Sequence, residues 1–580
     1  MIQTKFVVVV GGVISGVGKG VTTASLGKII QEYGYRTTLI KVDPYLNYDA
    51  GTMRPTMHGE VWVTKDGGEI DQDLGTYERF MDLDIPKHNN ITTGQIYKTV
   101  IDRERRGEYD GQDVKFIPHI PDEIIRRIKL AADGYEVAII EIGGTVGDYE
   151  NKPFLFAVRA LERQLGKGHV AYVLVVYLPV PEHIGEMKTK PAQQAVKLLN
   201  EEGISPDFIV CRSKYAIDDQ RKRIIELYAN VESDCVIAAP DIETIYQIPL
   251  DLEDAGIGKK VLSRIGLEPK REPDWSRWQQ LVNVIKAPKE TLRVAIVGKY
   301  LATGDYTLVD SYVSIQQALI HACAANELGL SISWIDASAL QTLDGCAQGL
   351  EVYDGIIVPG GFGQTGVEGK INTIACARKK NIPYLGLCYG MQLAAVEFAR
   401  NVCGLQGAHT TEVDPETLYP IIDILAVQKQ LLEQGNFGGS MRLGAYKATL
   451  KKGSAVYAWY NQAQWLGEDA TVAERHRHRY EVNPLFVPVL EKAGLVFSGY
   501  HERVDGTKLM EFLELPNHPF FIATQAHPEF TSRFGKPNPL FHGFVMACKK
   551  RKDTLAQASC GVDVNPALFQ AAVPLETLAS

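Results

Sequence analysis

The sequence has no run of about 18 uninterrupted apolar residues, the length a membrane-spanning helix needs. Its apolar stretch from Val170 to Leu178 has the length of a buried strand instead. Cysteine is sparse: nine residues, scattered, with no Cys-x-x-Cys pair. That argues against a disulfide framework and a zinc ribbon, and points to a reducing cytoplasm. Positive charge is not in excess either. With 61 Lys and Arg against 70 Asp and Glu, the net charge of −9 disfavours nucleic acid or a membrane surface as partner. A local basic pocket for a phosphorylated small molecule remains open. Repeats and low-complexity tracts are absent, and Met1–Lys5 runs straight into strand-like Phe6–Val10, so no signal peptide is expected.

What is present is an ordinary globular composition, 45% hydrophobic and 23% charged, over 580 residues. That length exceeds one core and implies several domain-sized units, here read as two large ones. The first half alternates strand-like runs (Lys5–Val10, Thr37–Val42, Glu136–Ile142, His169–Leu178, Phe208–Arg212) with helical patterns near 22–33, 122–132, 153–165, 191–202 and 220–230. This is the alternation of βαβ units and predicts a mostly parallel sheet covered on both faces. The charged, proline-punctuated segment 269–291 reads as a linker. A second α/β register then opens at Leu292–Gly298 and runs to about residue 550, with 551–580 as a tail. The expected fold class is α/β, with two doubly wound domains over 1–268 and 292–550.

Two sets of residues carry chemistry. After the first strand, the turn from Gly11 to Thr23 contains Gly16-Val17-Gly18-Lys19-Gly20-Val21. Glycines allow backbone N–H groups to face a phosphate, the following helix N-terminus adds its dipole, and Lys19 adds a charge. It departs from a strict Walker A because Gly20 stands where Ser or Thr should follow the lysine. A merely structural tight turn is the alternative, disfavoured by the strand before and the helix after. Lys41 and Glu141 end strands, where open α/β sheets bind ligands, and Asp71 and Asp73 form a nearby acidic pair. Each taken alone reads rather as a solvated loop charge. Beside the glycine loop, carboxylates there suit Mg²⁺ with phosphate.

In the second half, Gly386-Leu387-Cys388-Tyr389-Gly390 joins a strand to a helix, a sharp turn presenting a nucleophile. The flanking glycines are expected to permit the strained backbone, and the helix N-terminus favours the thiolate. Gly360-Gly361-Phe362-Gly363 follows another strand and can supply oxyanion donors together with the Tyr389 amide. His527 and Glu529, two apart after strand-like Phe520–Thr524, are expected to share one side of an extended segment. Glu529 would then orient His527, and His527 would activate Cys388.

Taken in order, these motifs resemble the CTP synthase family. The resemblance spans roughly residues 1–550 and rests on long strings: Gly51–Pro55, His58–Val61, Asp73–Phe80, Glu141–Glu150, Lys188–Pro191, Met441–Gly444 and Arg475–Asn483. It implies an N-terminal P-loop amidoligase domain of dethiobiotin-synthetase-like type and a C-terminal class I glutamine amidotransferase. The implied reaction is ATP-dependent amination of UTP to CTP through a 4-phosphorylated UTP, with ammonia taken from glutamine. By the same resemblance, Gly16, Val17, Gly18, Lys19, Gly20, Val21 and Asp73 match the ATP site, with Asp73 and Glu141 as Mg²⁺ ligands and Lys41 near the transferring phosphate. Ser15, Asp148, Tyr149, Glu150, Lys188, Thr189, Lys190, Pro191, Ala192 and Gln193 match contacts to UTP and inhibitory CTP. Gly361, Tyr389, Gly390, Met391, Gln392, Glu412 and Arg479 match glutamine contacts. His58 matches an ammonia passage, and Arg442 a loop that closes over the amidotransferase site. A homotetramer, filaments and activation by GTP are implied as well.

The chain departs from the family pattern at Gly16, where a serine is common, and at Tyr389, where leucine is common. A basic UTP contact near 220–225 has Arg221, Lys222 and Arg223 as candidates. Two other functions share parts of this plan: a glutamine-dependent amidoligase acting on corrinoid carboxylates, and a P-loop assembly protein with a degenerate amidotransferase half. The Lys188–Gln193 string argues against the first, and the intact Cys388, His527 and Glu529 against the second.

Overall fold

The computed structural model describes residues 3–53, 59–299, 302–303, 306–307, 309–340, 342, 349–361, 363–424 and 441–559. The chain forms two compact units. One holds the residues up to Thr52 and Glu69–Val282; the other holds Met53–Gly68 and the chain from Asn283 onward.

The first unit is built on seven strands: β1 Lys5–Gly11, β2 Thr37–Asp43, β3 Asn90–Thr92, β4 Val137–Ile142, β5 Val170–Tyr177, β6 Phe208–Ser213 and β7 Val236–Pro240. They pair in the order β3-β2-β4-β1-β5-β6-β7, all parallel. The sequence dictates this. Phe6–Val10 is buried along its whole length, as a strand covered by helices on both faces must be. The covering helices are amphipathic and begin where proline allows: Lys152–Leu165 and Lys190–Glu201 each carry Pro in the first turn and bury one face. The order changes direction about β1, so the loops after β1 and β4 open side by side, where such sheets bind ligands.

The second unit carries β8 Thr291–Gly298, β9 Gly329–Asp336, β10 Gly355–Val358, β11 Tyr384–Leu387, β12 Arg442–Leu450, β13 Thr471–His478, β14 Val496–Glu502, β15 Lys508–Glu514 and β16 Phe521–Thr524. Their order is β9-β8-β10-β11-β16-β15-β14-β12-β13. The first five are parallel; the last four extend the sheet antiparallel. Apolar clusters fill both faces.

Three parts of the expected organisation change. Segment 269–291 is not all linker: Ser276–Lys286 is a helix whose Trp278 indole donates to the Tyr246 carbonyl at 2.7 Å and packs on Phe80. Its charged, proline-rich flanks masked a short apolar face of Trp278, Leu281 and Val282. The tail is helical through its first residues, because the final helix runs from Pro539 to Ser559. The third change lies inside 1–268. Met53–Gly68 packs in the second unit, with Trp62 against Phe530 at 4.9 Å, Arg475 Nη1 donating to the Val63 carbonyl at 3.0 Å, and the Ala445 amide donating to Lys65 O at 2.9 Å. The strands β3 and β7 span only 3 and 5 residues, too short for a period to be read.

Candidate active sites

In the first unit, the loop after β1 turns through Gly16 and Gly18, at φ 73° and 82°, and Gly18 caps helix Lys19–Glu32. These left-handed values suit glycine. Lys19 folds back, and its Nζ donates to the Gly144 carbonyl at 2.7 Å, tying the β1 loop to the loop after β4. A β-carbon on Gly11 would lie 2.8 Å from that Nζ. Burial lowers the Lys19 pKa, with Glu141 opposing and Lys41 adding to the effect.

Behind this loop lies a buried ion cluster. The Lys41 ammonium bonds Glu141 Oε1 at 3.0 Å and Asp73 Oδ2, and lies 3.7 Å from Asp43 Oδ1. The Tyr77 hydroxyl holds the other Glu141 oxygen. Burial works against the Lys41 charge, but Asp73, Glu141 and Asp43 overcome it and hold the ammonium well above its ordinary pKa. Asp71 is pushed up to about 8, first by burial and then by Asp73. The departure at Gly20 now has a physical reason. A β-carbon there would stand 2.4 Å from Asp73 Oδ1, so a serine or threonine would displace a carboxylate that Lys41 holds in place.

The loops after β1 and β4 also abut helix Lys190–Glu201. A β-carbon on Gly12 would touch Ala195, and one on Gly147 would touch Leu198, both on helix Lys190–Glu201. Lys188 pairs with Glu186, Gln193 donates to Thr189 Oγ1 at 3.0 Å, and Asp148 Oδ2 accepts from the Thr145 amide at 2.7 Å. Ser15, Tyr149 and Glu150 are exposed, while Ala192 is fully buried and offers no side chain to a ligand. A groove of about 590 Å³ is lined by Lys190, Gln193, Gln194, Lys197 and Tyr228. Among the basic candidates near 220–225, Arg221 is committed to Asp218, Glu186 and the Met187 carbonyl. Lys222 is half-buried and Arg223 exposed.

In the second unit, Cys388 itself carries the strain, at φ 49° and ψ −100°. The flanking glycines are not in left-handed backbone; close approach requires them. A β-carbon on Gly390 would sit 2.1 Å from the Val358 carbonyl, and one on Gly386 would sit 2.6 Å from the Tyr384 hydroxyl. His527 lies beside Cys388, both within 4 Å of where a Gly360 β-carbon would stand, and its Nδ1 lies 2.7 Å from Glu529 Oε1. Burial disfavours the imidazolium, but Glu529 and Cys388 overcome it and raise His527 to about 10. The expected extended segment is instead a 3-10 turn at Pro528–Phe530, and the turn brings Glu529 under the ring. Gly360 lies against the pair, since a β-carbon there would be 3.1 Å from His527 Cε1.

Of the remaining residues, Glu412 Oε1 accepts from the Gly363 amide at 2.7 Å and faces Lys299 and Arg479; burial raises its pKa. Gln392 donates to the Tyr480 carbonyl and to Gln525, whose own amide reaches the Cys388 sulfur at 3.6 Å. The side chain of Met391 lies in the core. Arg442 is not in a loop but opens β12, buried and bonded to Glu481 at 3.0 Å and Glu511 at 2.7 Å. His58 and Phe362 lie outside the described residues.

The comparisons decide the family. A CTP synthase N-terminus profile matches residues 5–267 and a class-I glutamine amidotransferase profile residues 307–547. The CTP synthase of Pyrococcus furiosus is 52% identical over 95% of this chain and 99% of its own. That of Methanocaldococcus jannaschii is 49% identical over 94% and 98%. The chain belongs to the CTP synthase family. It is a glutamine-hydrolysing ligase that uses ATP to aminate UTP to CTP. Among solved structures, the glutaminase domain of Trypanosoma brucei CTPS with bound acivicin is 36% identical, covering 45% of this chain and 94% of that one, with a TM-score of 0.40. Among the described residues, no helix is long and apolar enough to cross a membrane.

Several groups at these sites escaped the sequence reading. Tyr77 sits within a string already noted, yet only the fold brings it to Glu141. Arg212, at the end of β6, lies 3.6 Å from where a Gly18 β-carbon would be; its strand-end position was the available signal. Lys299 and Lys370 flank the Tyr389 ring, 5.0 and 5.6 Å from its centroid, and nothing local in sequence marks either.

Proposed function

We propose that the two sites divide the reaction, Cys388, His527 and Glu529 releasing ammonia while the Lys19 loop and the Lys41 cluster activate UTP. The observation that carries this is one imidazole that is bonded to a buried carboxylate and lies beside a strained cysteine. The Cys388 thiol gives its proton to His527 Nε2, and the thiolate attacks the glutamine amide carbon. Amides of Gly361 and Tyr389 receive the oxyanion. His527 protonates the departing nitrogen, ammonia leaves, and a thioester remains. Water, deprotonated by His527, opens the thioester, releasing glutamate and restoring the thiol. Glu529 keeps the proton on Nδ1, so that Nε2 faces sulfur. Gly361, Tyr389, Gly390, Met391 (through its backbone), Gln392, Glu412 and Arg479 form the glutamine pocket.

At the other site, amides of Gly16 to Val21 and the Lys19 ammonium hold the ATP phosphates. Asp73 and Glu141 reach the same Lys41 ammonium, so their oxygens converge beside the loop. Paired hard carboxylates of this kind fit Mg²⁺, which when bound supplies neutralisation of charge on the transferred phosphoryl group. Lys41 supports the same transfer. The γ-phosphoryl passes to the 4-oxygen of UTP, and ammonia then attacks that carbon and expels phosphate. Ser15, Asp148, Tyr149, Glu150 and Lys188 to Gln193 form the UTP and CTP contacts. GTP activation, CTP inhibition, filaments and a cytoplasmic location rest on family membership. A homotetramer has support on the surface as well: Ile101, Phe116, Ile117 and Leu130 are all more than half exposed.

CTP formation, followed with glutamine or with ammonium salt in native protein and in Cys388→Ala, tests the division. Glutamine-driven synthesis should vanish and ammonia-driven synthesis persist. Loss of both, in a folded variant, would refute separate sites.

A further inference from the structure

Lys370 lies in the first turn of helix Val367–Lys379 and has no exposed surface. Taking an ammonium out of water is costly unless a partner compensates it. Among the described residues, no carboxylate lies within ion-pair distance of Lys370. Its Nζ donates to the Pro359 carbonyl at 3.2 Å, at the entry to the Gly360–Gly361 loop, and faces the ring of Tyr389, the residue after the nucleophile. The titratable groups facing it are Lys299, from the end of β8, and Cys388 and Tyr389, from the start of helix Tyr389–Asn401. Lys299 repels it, and a cation at a helix N-terminus opposes the dipole. Among the described residues facing it, Cys388 is the one whose charge draws the ammonium. Packing alone would be served by methionine without desolvation.

We propose that Lys370 is a positioning residue of the glutaminase reaction, holding the glycine loop through the Pro359 carbonyl and favouring the Cys388 thiolate by its charge. Burial and then Lys299 bring its pKa down to about 7, against a pull upward from Cys388, so the ammonium is finely balanced at neutral pH. The inference rests on Cys388 being the glutaminase nucleophile.

The test is the rate of Cys388 alkylation by iodoacetamide across the neutral pH range. It is read by peptide mass spectrometry on full-length native protein, Lys370→Met and Lys370→Arg. Methionine, which removes the cation, should slow alkylation at neutral pH by about tenfold. Glutamine-dependent kcat/KM should fall by about 10–10² while ammonia-dependent CTP synthesis stays intact. Arginine, which keeps the cation, should restore the alkylation rate. An alkylation profile unchanged in Lys370→Met overturns the proposal. Where methionine abolishes ammonia-dependent synthesis, and so has not folded, Lys370→Arg decides: native-like alkylation supports the proposal, and slow alkylation in a folded arginine variant refutes it. Glutaminase activity surviving in Cys388→Ala would instead sink the assignment of the nucleophile.

Discussion

Replacing Glu529 with glutamine keeps an oxygen acceptor for His527 Nδ1 and removes only the charge. The carboxylate is buried and sits 2.7 Å from the ring. His527 rises from 6.5 to about 10 through Glu529 and Cys388, net of burial. At about 1.4 kcal/mol per pKa unit, that is roughly 5 kcal/mol in favour of the imidazolium. Loss of the carboxylate removes part of this, on the order of 2–3 kcal/mol, or about 10²-fold in the population of the thiolate–imidazolium pair. Glutaminase kcat/KM, read as glutamate release, should fall by that order, and its alkaline limb should move down from near 10 toward 6.5. The sign for stability follows the same shift. The folded value lies above the unfolded one, so the pair's contribution is complete below pH 6.5 and fades as pH rises toward about 10. The variant should therefore lose stability most at acidic to neutral pH. Ammonia-dependent synthesis serves as the control for folding. Glutaminase activity within threefold of native, with an unmoved alkaline limb, would refute the role given to Glu529.

Other perturbations separate the two units. Lys19→Ala should abolish CTP formation from glutamine and from ammonia alike; ammonia-dependent synthesis that survives would remove Lys19 from the phosphate site. Gly390→Ala would drive a β-carbon to 2.1 Å from the Val358 carbonyl, so the second unit should unfold at lower temperature, by about 3 kcal/mol or more of stability in urea melts. Trp62→Ala removes a buried indole packed on Phe530, which itself stacks on His527 at 5.2 Å. It should cost about 3–5 kcal/mol and lower glutaminase more than ammonia-dependent turnover. A native glutaminase rate in folded Trp62→Ala would show that this wall does not hold the imidazole.

Much of the chemistry was legible in the chain itself, for a local reason. A strand, a glycine turn and a helix start in succession are a local pattern, and Lys5 to Glu32 shows all three. A nucleophile turn is equally local, so Cys388 stood out between a strand and a helix. Parallel strands buried on both faces are continuous apolar runs, which is why β1, β2, β4, β5 and β6 could be read from composition alone. What the sequence could not decide are contacts made by distant segments. Gly386 and Gly390 are glycines because Tyr384 and Val358 come too close, not because the backbone is left-handed. Glu529 meets His527 through a turn rather than a strand. Lys41 is the centre of a cluster of acids, two of them from other elements, and Arg442 is a buried strand residue rather than part of a loop. Trp62 lies in sequence among the residues of the first unit, yet packs on Phe530, which stacks on His527. Local propensity and spacing are written into a chain one neighbour at a time. Burial, and the pKa values that follow from it, exist only once the fold has brought remote residues together.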